Sequence, residues 1–168
     1  FLQINYGFLP YVQDVYDICK SKIDLYEFKN HPNSNDPNTK WPGLRSQHLN
    51  QTEPFLHLLL LGQAESKFNF SVKNYKEIDS FIHLRLEESN EEEYIHRDQC
   101  DTILIYLSDT NLTSGTRFYS DQKDQISEVS FLQNTAVYFN GSIYHSSFRN
   151  YGDSVDNGRM TINIFCYK

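Results

Sequence analysis

Residues 96–107 read His-Arg-Asp-Gln-Cys-Asp-Thr-Ile-Leu-Ile-Tyr-Leu. The apolar half of this stretch, Thr102–Leu107, predicts a β-strand. In extended backbone, residues i and i+2 point to the same face, so the side chains of His96 and Asp98 would be neighbours. An imidazole and a carboxylate placed in this way can occupy adjacent positions around one metal ion. The stretch therefore predicts a polar pair at the entrance to a β-sheet.

Alternating apolar and polar residues continue on both sides of this stretch, with turn signals such as Asn140-Gly141 and Asn157-Gly158 between them. A further turn is expected over Asn111–Gly115. Besides the strand at 102–107, the predicted strands cover Phe68–Val72, Ile78–Leu86, Thr116–Tyr119, Glu128–Leu132, Ala136–Phe139, Ile143–Phe148 and Arg159–Tyr167. The aromatic share of 15% also favours pleated sheets. The pattern predicts a mainly β fold, a sandwich or a barrel.

The N-terminal part has helical periodicity instead. A helix is predicted over residues 9–26, with Pro10 in its first turn. Its apolar face would consist of Val12, Val15, Tyr16, Cys19 and Ile23. A second helix is predicted over Glu53–Leu61, with Thr52 as its N-cap and Gly62 just after its end. These helices would pack against the β-sandwich.

The remaining stretches predict loops and a single domain. Residues 30–43 hold three prolines and several asparagines, and the acidic run at 87–93 is typical of a solvated hairpin loop. At 168 residues the chain has the size of one domain. We expect residues 1–66 to supply helical support and a loop, and residues 67–168 to supply the β-core.

Composition and charge exclude several classes of protein. The formal net charge of -7 disfavours binding nucleic acid over a broad surface. No apolar run is long enough to span a bilayer. Three widely spaced cysteines, Cys19, Cys100 and Cys166, argue against a disulfide framework and favour a reducing cytoplasm. We therefore expect a cytoplasmic protein that does not associate with membranes, in the host cytoplasm if it is viral.

Two later residues can complete a site around the His-x-Asp pair. His145 lies in a predicted strand, and two histidines with one carboxylate form the facial triad that suits non-haem Fe(II). A single strand histidine is more often an ordinary half-buried residue. Arg159 shares one face of the last strand with Thr161 and Asn163. That polar face is either solvated or lines a pocket, where a guanidinium would need an anion.

Taken together, these motifs resemble a known family. The matching elements are His96-x-Asp98, Ile105-Tyr106-Leu107, Gly115-Thr116-x-Phe118, His145 and Gly158-Arg159. Their order and spacing resemble the 2-oxoglutarate and Fe(II)-dependent dioxygenases, most closely the prolyl-4-hydroxylase type, over about residues 81–165. Trp41-Pro42-Gly43-x-Arg45-Ser46 resembles a segment of small phage and bacterial members. The resemblance implies a double-stranded β-helix, a jelly-roll or cupin-like fold braced by N-terminal helices.

The resemblance also implies cofactors and roles. His96, Asp98 and His145 would bind Fe(II), and Arg159 would pair with the distal carboxylate of 2-oxoglutarate. The hydroxyl of Tyr106 would reach the same carboxylate, although a buried tyrosine packed in the core is an equal alternative. Thr161 or Asn163 would add a hydrogen bond. With O2 as the second co-substrate, the enzyme would hydroxylate a substrate and release succinate and CO2.

The sequence departs from the family pattern in two places. The strand before the His-x-Asp pair reads Phe81-Ile-His-Leu-Arg-Leu86 and lacks the usual tyrosine, and the usual Gly-Gly-Glu-Thr segment is reduced to Ser114-Gly115-Thr116. These departures weaken an assignment of proline as the substrate. Composition favours a peptide, a protein or a small metabolite over a nucleic acid. The oligomeric state is not predicted.

Three residues outside the core motif, Arg45, Arg97 and His83, are candidate substrate contacts, although such side chains are more often at the surface. Two other functions stay open. A cupin-like metal enzyme without oxidative chemistry would use the same ligands and ignore 2-oxoglutarate. A jelly-roll binding module would keep its histidines only as structural residues. The spacing of Arg159 after His145 favours the oxygenase over both.

Overall fold

The computed structural model describes residues 1–32, 41–89 and 94–168. The α-helices are α1 (Val12–Lys22), α2 (Leu49–Thr52) and α3 (Pro54–Lys67). The strands are β1 (Leu2–Tyr6), β2 (Leu25–Glu27), β3 (Leu44–Ser46), β4 (Glu77–Arg85), β5 (Asp101–Tyr106), β6 (Asn111–Tyr119), β7 (Gln125–Phe131), β8 (Thr135–Phe139), β9 (Tyr144–Phe148) and β10 (Arg159–Tyr167). Short 3-10 helices lie at Phe28–Asn30, Val72–Asn74 and Glu87–Ser89.

Two antiparallel sheets face each other. The larger sheet has seven strands in the order β1-β8-β5-β10-β4-β3-β2, and the smaller sheet has three in the order β7-β6-β9. An isolated antiparallel bridge joins His96 to His145 in β9 at the edge of the smaller sheet. This is the predicted double-stranded β-helix with N-terminal helices, and the predicted fold class is confirmed.

The larger sheet separates two apolar clusters, because successive side chains of a strand point to opposite faces. On the helix side, Met160, Ile162 and Ile164 of β10 pack with side chains of α1 and α3. Between the sheets, a smaller cluster contains Tyr106, Phe118 and other side chains, namely Leu104, Val129, Phe131, Val137 and Phe139. The second cluster fills only part of the space between the sheets, and the rest is a cavity.

Helix α1 is shorter than the predicted helix over residues 9–26. Pro10 lies in a turn before its start, and the chain after Ile23 enters β2. The C-terminal end is earlier because β2 pairs with β3, and such long-range pairing overrides local propensity. The predicted apolar face is buried at Val15, Tyr16 and Cys19.

The second predicted helix is present, but its predicted C-terminal end and its predicted N-cap were wrong. Helix α3 continues through Gly62 to Lys67, and the hydroxyl of Thr52 donates to the His48 carbonyl instead of capping α3. A glycine inside a helix costs about 1 kcal/mol relative to alanine. Burial of Leu60, Leu61 and Ala64 on this helix offsets that cost.

Two further local predictions were wrong. Residues Phe68–Val72 do not form a strand; the two rings, Phe68 and Phe70, pack against Tyr138 with centroid distances of 5.6 Å each. The expected turn at Asn111–Gly115 belongs to β6, in which the register shifts between Asn111 and Gly115. Both errors arise because tertiary packing uses these residues in a way that local pattern does not specify.

The six later strands are confirmed to within a few residues. The predicted loop at 30–43 and the acidic run at 87–93 fall partly on 33–40 and 90–93, which lie outside the described residues. The division predicted at residue 66 follows from the change of periodicity along the sequence. The structure places β1, β2 and β3, all from the N-terminal part, in the same sheet as β4 and β10.

Among the residues that the structure describes, no helix combines the length and the apolar character needed to cross a bilayer. The expected location in the cytoplasm and the extent of the single domain stay predictions.

Candidate metal centre and its cavity

Backbone pairing brings the two histidines together across 49 residues of sequence. The His96 N–H donates to the His145 carbonyl at 3.0 Å, and the His145 N–H donates to the His96 carbonyl at 2.9 Å. Their ring centroids are 4.3 Å apart. Gly141, in the turn before β9, lets this turn approach the backbone of Cys100, where a Cβ atom would overlap the carbonyl oxygen. This turn therefore has a local reason to use glycine.

Asp98 completes the group. Its Oδ1 atom lies 3.7 Å from Nε2 of His96, and its Oδ2 atom lies 3.5 Å from Nε2 of His145. One ligand atom from each of the three residues lies within 4.8 Å of the others. The structure thus gathers the three side chains that the sequence singled out. Their role as iron ligands stays a prediction.

Hydrogen bonds fix which nitrogen of each imidazole carries a proton. Nδ1 of His96 is 3.0 Å from the Tyr94 carbonyl, and Nδ1 of His145 is 3.1 Å from the Ile143 carbonyl. A carbonyl can only accept, so each Nδ1 donates and each Nε2 keeps its lone pair. Both lone pairs are on the atoms nearest to Asp98. This is the tautomer that binds metal.

Burial lowers the pKa of His145, and the neighbouring His96 adds to this effect, while the charge of Asp98 opposes it. The imidazole of His145 is therefore kept neutral, as a ligand must be. The hydroxyl of Thr102, on β5, donates to Asp98 Oδ2 at 2.7 Å and fixes the orientation of the carboxylate. Two imidazole nitrogens and one oriented carboxylate form a donor set that fits a non-haem Fe(II) ion.

Arg159 begins β10 and is only 3% exposed. Its Nη2 atom donates to the Gly115 carbonyl at 3.3 Å and to Thr116 Oγ1 at 3.4 Å, while its Nε atom is buried without an acceptor. Burial lowers the pKa of this guanidinium. No carboxylate in the described ranges forms an ion pair with it. A buried charge without a counter-ion is costly, so the surroundings of Arg159 fit an anionic ligand.

The other predicted co-substrate residues lie in two places. Thr161 and Asn163 line the cavity beside Arg159, and the Thr161 hydroxyl donates to Asn163 Oδ1 at 2.9 Å. Tyr106 lies behind the cavity wall, with its hydroxyl 2.9 Å from Thr116 Oγ1 and 3.1 Å from the Val129 carbonyl. Burial raises the pKa of Tyr106 to about 12. A direct contact of Tyr106 with 2-oxoglutarate stays a prediction.

One cavity of about 230 Å³ contains both the triad and Arg159. The pairing register of the larger sheet determines which side chains form one wall of the cavity. Arg45 on β3 lies opposite His83 on β4, and His83 lies opposite Thr161 on β10. Arg85 lies directly opposite Arg159 in the same sheet. Asp98 is the only carboxylate among the described residues that line the cavity.

His83 lies between the three arginines of this wall. Its Nε2 atom is 2.7 Å from the Pro42 carbonyl, so this nitrogen donates. Burial holds the pKa of His83 well below its usual value, and the positive charges of Arg45, Arg85 and Arg159 lower it further. His83 is therefore a neutral residue of the cavity wall.

Of the three candidate substrate contacts predicted from the sequence, two lie in the cavity and one lies outside it. Arg45 and His83 line the cavity, whereas Arg97 lies outside it, pairs with Asp121 and stacks on the ring of Tyr144 at 3.9 Å. Sequence reasoning missed Arg85, which donates to Ser147 Oγ at 2.8 Å inside the cavity. Alternation within the predicted strand at 78–86 places it on the same face as His83, and that signal could have found it.

The sequence matches no family model, and no curated protein matches it. Solved structures do match over nearly the whole chain. A Pseudomonas putida prolyl-4-hydroxylase has a TM-score of 0.59 at 13% identity and covers 99% of this chain and 92% of its own. A Trichoplax adhaerens prolyl hydroxylase, in complex with a hypoxia inducible factor oxygen degradation domain peptide fragment, has a TM-score of 0.56 at 13% identity, with 99% and 83% covered.

A third similar structure is the non-haem α-ketoglutarate-dependent epimerase SnoN from nogalamycin biosynthesis. Its TM-score is 0.57 at 12% identity, and 99% of this chain and 77% of that chain are covered. Likeness at such identities concerns the path of the backbone and not the chemistry. The chain therefore has the double-stranded β-helix fold that is shared by these prolyl hydroxylases and this α-ketoglutarate-dependent epimerase.

Proposed function

We propose that this protein is a 2-oxoglutarate- and Fe(II)-dependent dioxygenase that hydroxylates a substrate. The observation that carries the proposal is the convergence of His96, Asp98 and His145 in one cavity with a buried guanidinium, Arg159, that has no carboxylate partner among the described residues. A metal-binding triad alone would serve many reactions. The additional buried cation is what favours an enzyme that also takes an anionic co-substrate.

Each residue has a defined task in this proposal. His96, Asp98 and His145 would hold the ion from one side, which leaves positions for other ligands. When bound, the iron would use O2 to convert 2-oxoglutarate to succinate and CO2 and to oxidise a C–H bond of the substrate. Thr102 keeps the Asp98 carboxylate in place, and the two backbone carbonyls keep the imidazoles in their metal-binding tautomer.

Arg159 would bind the distal carboxylate of 2-oxoglutarate through charge-assisted hydrogen bonds. Its buried position between Gly115 and Thr116 fixes the guanidinium, so little side-chain entropy is lost on binding. Thr161 and Asn163 offer further polar atoms on the same strand face. The burial of Arg159 would strengthen its interaction with a bound carboxylate.

One structural neighbour is an epimerase, so the fold alone does not choose hydroxylation. We choose it because the motif order resembles the prolyl-4-hydroxylase type. The departures in the strand at 81–86 and at Ser114-Gly115-Thr116 argue against taking proline itself as the substrate.

The test is the binding of metal and co-substrate without oxygen. Protein loaded with Fe(II) and 2-oxoglutarate should develop a weak visible charge-transfer band. Arg159→Ala should weaken 2-oxoglutarate binding by more than about tenfold, because a charge-assisted pair is lost, with nearly unchanged metal affinity. His145→Ala should abolish the band, whereas His57→Gln, at a buried histidine on the helix side, should keep it.

Two results would contradict the proposal. A fully metal-loaded protein that shows no band and no affinity for 2-oxoglutarate would favour a non-oxidative cupin-type enzyme. Unchanged 2-oxoglutarate affinity in Arg159→Ala would move the co-substrate to another cation of the cavity. Succinate formation, screened against amino acids, peptides and oligonucleotides, then identifies the substrate class.

A further inference from the structure

Arg45 is another guanidinium of the cavity wall, besides Arg85 and Arg159. It lies on β3 opposite His83, and its Cζ atom is 4.2 Å from the ring centroid of Trp41 and 4.2 Å from that of Phe81. Two aromatic faces thus hold one planar cation between them. Such stacking fixes the orientation of a guanidinium without using its N–H donors.

The donors of Arg45 are not matched by an anion of the protein. Its Nε atom is buried without an acceptor, and no carboxylate in the described parts of the chain forms an ion pair with it. Burial lowers the pKa of Arg45 to about 10, and the charge of Asp98 opposes that shift. Arg45 lines the same cavity as the triad. Arg45 is half-buried whereas Arg159 is fully buried, but both guanidinium groups have a buried Nε atom without an acceptor.

A charge count of the cavity explains why one anionic ligand is not enough. Among the described residues that line the cavity, Arg45, Arg85 and Arg159 carry three formal positive charges, and Asp98 carries one negative charge. A divalent ion at the triad and a doubly charged 2-oxoglutarate neutralise each other. Two formal positive charges then remain on the described wall residues, and a second anionic group would reduce this excess.

We propose that Arg45 binds the carboxylate of the primary substrate, and that this substrate is a small organic acid with an apolar skeleton. The inference rests on the proposed function, in which Arg159 is occupied by 2-oxoglutarate. The rings of Trp41 and Phe165 line the cavity as an apolar wall, and Phe165 packs on Phe81 with ring centroids 5.0 Å apart. The substrate would thus be held by its charge at Arg45 and by its hydrocarbon part along this wall, close to the triad.

Cavity size favours a small molecule over a peptide segment. The volume of about 230 Å³ lies below the range of about 300–1,000 Å³ that is usual for drug-sized ligands. The same carboxylate chemistry is offered by a free organic acid, an amino acid and the C-terminal residue of a peptide. We commit to the first, because an ammonium group would add a further positive charge to a cavity that already has an excess.

The protein contains an intrinsic fluorescent probe for ligand binding at Arg45. Trp41 is the single tryptophan of the sequence, and it stacks directly on Arg45. The experiment follows its fluorescence in protein loaded with Mn(II) and saturating 2-oxoglutarate under nitrogen. The probes are phenylacetate, L-phenylalanine and N-acetyl-L-phenylalanine, each compared with its carboxamide, in which a neutral amide replaces the carboxylate.

We expect phenylacetate to bind at least about tenfold more tightly than phenylacetamide, as a charge-assisted pair predicts. This preference should disappear in Arg45→Gln and be partly kept in Arg45→Lys, which retains the charge but loses the planar fork. Arg117→Gln is the matched control. Arg117 is also a strand arginine stacked on a ring, with its Cζ atom 4.4 Å from the centroid of Phe148, but it lies outside the cavity wall.

Each possible result either supports the inference about Arg45 or overturns it. Equal affinity for acid and amide in all three pairs, including no binding of either, overturns the inference, and this comparison needs only the wild-type protein. A preference that survives in Arg45→Gln also overturns it. A preference confined to L-phenylalanine or to the N-acetylated acid replaces the simple acid by an amino acid or a peptide end.

Measurements of 2-oxoglutarate binding distinguish a failure of the proposed function from a failure of the inference about Arg45. If wild-type protein binds Mn(II) but not 2-oxoglutarate, the dioxygenase assignment fails first. If Arg45→Gln loses 2-oxoglutarate affinity and Arg159→Ala does not, Arg45 is the co-substrate residue and the inference is overturned. Melting temperatures of each variant show whether it is folded.

Discussion

Along β10, Met160, Ile162 and Ile164 face the helices, whereas Arg159, Thr161 and Asn163 face the cavity between the sheets. The first face is completely dry and packs against α1 and α3. The second face is also mostly buried, yet it holds a charged guanidinium and hydrogen-bonding groups. The two faces share one backbone and one register, so only side-chain chemistry separates them.

The comparison shows where stability and chemistry reside. On the helix face, burial removes apolar surface from water and stabilises the fold. On the cavity face, burial desolvates charges, and this costs free energy that a ligand can recover. Substitutions on the first face should lower the free energy of unfolding, and substitutions on the second should change binding or its dependence on pH.

The largest expected effect is a loss of stability on the helix face. Ile162 has 0% exposure in the centre of β10. Ile162→Ala should lower the free energy of unfolding by about 2–5 kcal/mol, because it removes buried methyl groups and leaves a cavity. Denaturant titration measures the change. Ile126→Ala is the control, since Ile126 is 62% exposed and should lose little. Loss of Mn(II) affinity in folded Ile162→Ala protein would contradict the separation of the two faces.

A smaller effect is expected for a residue that supports the triad. Thr102→Val removes the hydroxyl that donates to Asp98 but keeps the shape of the side chain. Loss of such a supporting bond typically weakens metal binding by about 10–100-fold. Mn(II) titration measures the affinity, and Thr113→Val, at an exposed position of β6, should leave it unchanged. If Thr102→Val instead changes only the free energy of unfolding, the triad does not depend on this bond.

The smallest effect concerns the pH dependence of stability. Free histidine has a pKa of about 6.5, while burial and the three arginines hold the pKa of His83 well below it in the folded protein. Below pH 6.5 the unfolded chain binds a proton that the folded protein does not. The free energy of unfolding should therefore fall as pH falls, by up to about 1.4 kcal/mol per pH unit from this residue, and should not depend on it above pH 6.5.

His83→Gln should make this slope less steep, because it removes the titrating group. Urea titrations at a series of pH values provide the slope in both proteins. Equal slopes would mean that the imidazole of His83 titrates in the folded protein as it does in water. The surrounding guanidinium groups would then not be charged and buried in the way that the cavity wall requires.

Local pattern predicted most of the strands and one face of α1. It failed at Phe68–Val72, where two aromatic side chains alternate but serve as anchors for Tyr138, and at Gly62, where helix burial outweighs the cost of glycine. It also missed β1, β2 and β3. These strands have five, three and three residues, which are too few to show a clear period.

The candidate site was predicted in part. The pair His96 and Asp98 follows from extended geometry, and the polar face of β10 follows from alternation. Arg85 was visible in the same alternation but was missed. The hydrogen bonds from Arg159 to Gly115 and Thr116 could not be inferred from the sequence, because they depend on how closely the two sheets approach each other.

The sequence by itself determined which side chains share a face within one strand, because a strand alternates its side chains whatever surrounds it. Only the tertiary structure decided that His145 lies beside His96, and that Arg45 from the N-terminal part enters the same cavity as Arg159. The proximity of these residues depends on strand pairing between segments that are distant in sequence. Such pairing is fixed by burial of the whole helix face and by sheet register, which no local stretch of residues contains.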